Sequence, residues 1–133
     1  IERLQLQALH LGIYNKCYFT GFMSDEDLDK FQTVADCAVF PSLYEPFGIV
    51  ALESFAAKVP VVVSDTGGFP EVVRHGQTGI VTRANNPDSL ALGILDILKN
   101  PDYAKWLVHN AYEDLDKRFS WPKLAQQTEA VYG

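Results

Sequence analysis

Long apolar runs, basic clusters and metal-spaced cysteines are all missing from this chain of 133 residues. No apolar stretch approaches the roughly 18 to 20 residues that a membrane-spanning helix needs, and nothing resembles a secretory leader. A helical membrane protein is excluded on this reading, and a cytoplasmic location is the expectation. Basic residues are few and scattered: 11 Lys and Arg stand against 17 Asp and Glu, a net charge of −6. Lys16, Lys58, Arg74 and Arg83 are isolated from one another, so no basic stripe could follow a phosphodiester backbone, and nucleic acid is not an expected partner. The two cysteines, Cys17 and Cys37, lack metal-ligand spacing and lie in or beside strand-like segments, which predicts reduced, buried, inert thiols. His10, His75 and His109 are dispersed. Asp25-Glu26-Asp27 imitates a D-x-D metal motif, yet residues two apart on a helix diverge, and acids in a first turn suit the helix dipole. No metal is expected.

What the chain does have is alternation. A helical pattern over 1–10 comes first, already in mid-helix and with no cap before it, which reads as a piece of a longer polypeptide. A strand is expected at 17–20, then a helix over 25–34 with Ser24 as its cap. Strand-like runs follow at 37–41, 61–63 and 79–82, separated by a helix reaching about Lys58 and a short one begun near Pro70. Asn86 and Pro87 open a further helix with Leu90, Ile94, Ile97 and Leu98 on one face. Two more helices are predicted over 102–116 and 120–132, with Trp106 and Trp121 as core or helix-start anchors. Strands alternating with helices predict βαβ units and an α/β, three-layer parallel sheet, organised as one domain over 1–133.

Ligands of such sheets bind at the carboxyl ends of the strands. Among the loops there, only 42–48 combines a carboxylate, an aromatic, a glycine and a following helix N-terminus. Pro46 disfavours a helical Glu45, which therefore belongs to the loop, and Gly48 lets the backbone approach a ligand. A helix beginning here would point the N–H groups of Gly48, Ile49 and Val50 outward, suited to a phosphate. Glu53 lies about one and a half turns further in. Two carboxylates would repel a phosphate they touched, so they serve better as acceptors for sugar hydroxyls on either side of it. A solvated Glu45 and a surface Glu53 would give the same spacing.

The stretch Glu45-Pro46-Phe47-Gly48-Ile49-Val50-Ala51-Leu52-Glu53 resembles the E-x7-E signature of retaining GT-B glycosyltransferases, the glycosyl transferases group 1 family. Phe19-Thr20-Gly21-Phe22-Met23-Ser24, Pro60 through Pro70-Glu71, Thr78-Gly79-Ile80-Val81 and Phe119-Ser120-Trp121 also resemble the family pattern, in order. The resemblance implies the C-terminal, Rossmann-like, donor-binding domain of a two-domain enzyme. Carried over, Glu45 is the catalytic-site residue that holds the transferred sugar. The backbone of Phe47, Gly48, Ile49 and Val50 lines the sugar and diphosphate, Glu53 takes the ribose hydroxyls, and Met23 borders the nucleobase by its main chain. The substrate is a nucleotide-diphosphate sugar, with UDP- or ADP-glucose favoured and GDP-mannose open, and no separate cofactor is implied.

The family also carries an Arg and a Lys after the domain's first strand, a second strand before the helix matching 1–10, and an N-terminal domain that supplies the acceptor site. None of these is in this sequence. The resemblance therefore implies a partial domain without its first two strands, weak in donor binding and inactive alone, whose exposed strand edges invite dimerisation. A sugar-nucleotide epimerase of the same architecture, or a non-catalytic nucleotide-binding module, is the alternative. Gly67-Gly68-Phe69-Pro70-Glu71 is a second glycine-rich turn, read either as shaping the acceptor side of the cleft or as a plain tight turn.

Overall fold

The computed structural model describes residues 2–118. It forms two compact units, Ile1–Lys30 and Phe31–Gly133, each with its own contacts. The helix expected over 120–132 lies outside the described residues.

In the first unit, α1 (Glu2–His10) ends where the N–H of Ile13 reaches the carbonyl of Ala8 and that of Gly12 reaches Leu9. This pair of reversed bonds satisfies carbonyls that the helix end would otherwise orphan. A 3-10 turn at Tyr14–Lys16 follows, and the Tyr14 ring stacks on Phe19 at 6.3 Å between centroids. The strand expected at 17–20 does not form. Cys17 is extended (φ −113, ψ 134), as its β-like neighbours predict, but among the described residues no ladder partner lies beside it. Extended backbone becomes a strand only by pairing. Ser24 accepts the N–H of Asp27 at 3.2 Å and so opens α2 (Asp25–Val34), with the bounds its cap predicts. The division between the units falls within α2.

The second unit holds three parallel strands, β1 (Ala38–Phe40), β2 (Val61–Ser64) and β3 (Ile80–Thr82), in the spatial order β1-β2-β3. Val62 lies opposite Val39 on one side and Ile80 on the other. Alternation of side chains then divides the core. Val61 and Val63 pack with Ala51, Leu52 and Phe55 of α3 (Ile49–Ala56) and with Phe69 and Val72 of α4 (Phe69–Val72). Val62 and Ile80 pack on the opposite face with Leu90, Ile94 and Ile97 of α5 (Pro87–Lys99). Helices on both faces complete the α/β, Rossmann-like sheet that the sequence predicts.

The last described helix, α6 (Pro101–Arg118), serves both faces. Its Ala104 and Leu107 join the α5 side, and its Ala111 and Leu115 join the α3 side. It passes from one to the other beneath the amino ends of the strands. Ala35, Asp36 and Pro60, just ahead of β1 and β2, share a groove with Ala104 and Val108, and Asn110 Nδ2 donates to the carbonyl of Gln77 just ahead of β3. Two apolar residues expected in the core are outside it. Leu98 is 49% exposed and Trp106 is 50% exposed, each one residue round the helix from a buried neighbour, Ile97 or Leu107. A step of about 100° carries a side chain off the buried stripe. Trp106 stacks on Tyr103 instead.

Candidate functional site

At the carboxyl ends of the strands three loops meet, and the first carries the sequence's candidate residues. β1 ends at Phe40, and the chain reaches α3 through Glu45, Pro46, Phe47 and Gly48. Gly48 has φ +69, a left-handed conformation that glycine adopts without strain, and it is buried at the N-cap of α3. Glycine brings no side-chain cap, so another group does that work: Glu45 Oε1 accepts the Gly48 N–H at 3.1 Å. The half-buried carboxylate therefore sits at the positive end of α3. Of the three N–H groups expected to be free for a phosphate, that of Gly48 is already engaged. Those of Ile49 and Val50 remain without a partner among the described residues. Glu53 stands on the exposed side of α3. Tyr44 is almost wholly in solvent. Met23 belongs to the first unit, half-buried and one residue before the Ser24 cap. The structure thus brings Glu45, Phe47, Gly48, Ile49 and Val50 together at one loop–helix junction with Glu53 along the same helix.

The second loop, 65–68, contributes more than the sequence reading allowed. Ser64 Oγ and Thr66 Oγ1 both reach the carbonyl of Ser42, at 2.6 and 2.9 Å, and lie 2.7 Å from each other. The Gly68 N–H donates to the carbonyl of Glu45 at 2.6 Å. A Cβ on Gly67 would overlap that same carbonyl oxygen, and one on Gly68 would come within 2.6 Å of the Phe47 carbonyl carbon. The glycine pair was legible as a turn. Its second role, letting backbone lie against backbone, depends on a loop distant in the sequence and leaves no local signal. The third loop is tied in by Asp65 Oδ1, which accepts the Ala84 N–H at 2.8 Å, and by Ser89 Oγ, which accepts that of Arg83 at 3.0 Å.

Cys17 and Cys37 are both free thiols and half-buried, more open than the sequence predicts. Burial, with Asp36 beside it, pushes the Cys37 thiol up to about 11, so it stays protonated near neutral pH. Among the described residues no group of three His, Cys, Asp or Glu is placed to hold a metal ion. No helix among them is long and apolar enough to cross a membrane.

The family model for "Glycosyl transferases group 1" matches residues 2–114, a span that includes this carboxylate-capped, glycine-opened helix. The chain belongs to that family. An uncharacterised glycosyltransferase of Methanocaldococcus jannaschii is 43% identical over 131 residues, covering 98% of this chain and 34% of that protein. A glycogen synthase of Mycobacterium tuberculosis is 39% identical over 126 residues, covering 95% of this chain and 30% of that protein. Among solved structures, Anabaena HepE in complex with UDP-glucose superposes with a TM-score of 0.86 at 28% identity, over 98% of this chain and 36% of that one. The chain thus spans about a third of the length of the family members it matches. Its sheet and helices are those of the GT-B type of glycosyltransferase.

Proposed function

We propose that this chain supplies the donor half of a retaining glycosyltransferase that takes a nucleotide-diphosphate sugar, with UDP- or ADP-glucose preferred over GDP-mannose. The observation that carries this reading is the Glu45 carboxylate held at the glycine-opened N-terminus of α3, with the Ile49 and Val50 N–H groups beside it. The helix end suits the diphosphate, because unbonded N–H groups and the dipole both favour negative charge. The backbone of Phe47 to Val50 lines the sugar and diphosphate. Glu45 accepts hydrogen bonds from hydroxyls of the transferred sugar. Glu53 takes the ribose hydroxyls, as an acidic residue does in dinucleotide folds.

In the reaction, the bond between the sugar's anomeric carbon and the diphosphate oxygen breaks and a bond to an acceptor hydroxyl oxygen forms on the same face. The acceptor's proton passes to the leaving diphosphate. The chain's task is positioning and charge stabilisation, and no cofactor beyond the substrate is needed. The acceptor is a sugar or another hydroxyl compound. Support for a glucosyl donor comes from the glycogen synthase relative and from the UDP-glucose complex of the Anabaena protein. The test is calorimetric titration of the chain with UDP, ADP, GDP and their glucose or mannose conjugates, repeated on Glu53→Ala. Millimolar or tighter binding of one nucleotide, lost in the variant, is the expected result. A folded chain that binds none of them sinks the reading.

A further inference from the structure

We propose that loop 65–68 is a positioning element for Glu45, and that Thr66 and Gly68 set how tightly the donor's sugar is held. The inference rests on the reading of Glu45 as the sugar-facing carboxylate, and it concerns residues outside the E-x7-E stretch.

Three hydrogen bonds and a close backbone approach hold the first loop against the second. Ser64 and Thr66 converge on the Ser42 carbonyl, three residues before Glu45, with two hydroxyl protons serving three short oxygen–oxygen contacts. The Gly68 N–H grips the carbonyl of Glu45 itself at 2.6 Å. Gly67 and Gly68 pass so close to Glu45, Pro46 and Phe47 that neither tolerates a side chain, and a Cβ on Gly48 would lie 3.1 Å from the Gly68 carbonyl oxygen. The carboxylate is thereby fixed at both ends: its backbone by Gly68 and its Oε1 by the Gly48 N–H. The turn closes on itself through the Phe69 N–H, which donates to the Thr66 carbonyl at 3.1 Å, and in addition spends its hydroxyls and the Gly68 N–H on another loop. A carboxylate that must meet sugar hydroxyls gains from such fixing, because a displacement of about 1 Å at a reacting site can cost 100-fold in rate. The diphosphate meets the helix N–H groups of Ile49 and Val50, which these contacts do not touch, so the effect falls on the sugar.

The test compares UDP with UDP-glucose by calorimetry on the unsubstituted chain, on Thr66→Val, and on Thr66→Ser. Thr66→Val keeps the shape of the side chain and removes its donor. The expected result is a three- to tenfold loss of UDP-glucose affinity with UDP affinity and melting temperature unchanged, and recovery in Thr66→Ser. If Thr66→Val does not fold, Ser64→Ala removes the companion donor and carries the same expectation. An unsubstituted chain that binds both ligands, with the same UDP-glucose to UDP ratio in the variants, overturns this inference and leaves the proposed function standing. Equal weakening of both ligands together with a lower melting temperature also overturns it, because the loop then acts only in stability. A chain that binds neither ligand overturns the proposed function and this inference with it.

Discussion

The Gly48 N–H has two claimants, the Glu45 carboxylate and the proposed diphosphate, and the competition gives a sign to substitution of Glu45. In the structure its carboxylate occupies the Gly48 N–H, within the same helix end that would take the diphosphate. A charge-assisted hydrogen bond contributes about 1.5–3 kcal/mol. Glu45→Ala is therefore expected to leave UDP binding unchanged or tighter while UDP-glucose loses its margin over UDP by about tenfold, in the same titrations. Loss of UDP binding would instead assign the carboxylate a purely structural cap. Cys37 makes a second prediction at this scale. With its thiol pushed up to about 11 from 9.0, the folded state holds a proton that the unfolded state releases first. Stability from this group is complete below pH 9 and is lost as pH rises from there towards 11. Native-state alkylation of Cys37 should stay slow at pH 8 to 9 and accelerate towards pH 11, whereas denatured protein reacts readily at the lower value.

Among the elements, α5 shows what a local signal can achieve. Asn86 Oδ1 accepts the Ser89 N–H at 3.0 Å, Pro87 follows at the first helical position, and the helix ends at Lys99 ahead of Asn100 and Pro101. All of this is written within a few residues, as it is for Ser24 and α2, which is why both helices were legible. Asn86→Ala should cost about 1 kcal/mol of stability in urea denaturation. The strand expected at 17–20 was not legible in the same way, since pairing depends on a neighbour that the segment itself cannot specify. Leu98 and Trp106 failed for a third reason. Apolar character identifies a helix's buried side only to within a residue, and one step of rotation separates Ile97 from Leu98 and Leu107 from Trp106. At the candidate site, Glu45 and Gly48 were legible because proline and glycine restrict the backbone beside them. The capping bond that takes the Gly48 N–H, and the grip of Gly68 on Glu45, belong to folded geometry.

Among the described residues of the second unit the sheet has two edge strands, β1 and β3, each paired with β2 alone. Unpaired strand edges recruit further strands. We therefore expect concentration-dependent dimerisation of this chain in light scattering coupled to size exclusion, and a monomer at every concentration would argue against it. The amino ends of the strands, where α6 crosses, behave differently. Because α6 contributes Ala104 and Leu107 to one core and Ala111 and Leu115 to the other, neither side of the sheet can open without loosening the same helix. The two faces should therefore unfold in a single transition, and a chain cut at Asn100 would not be a smaller domain. Limited proteolysis of the native protein should yield no stable product that ends before Leu115.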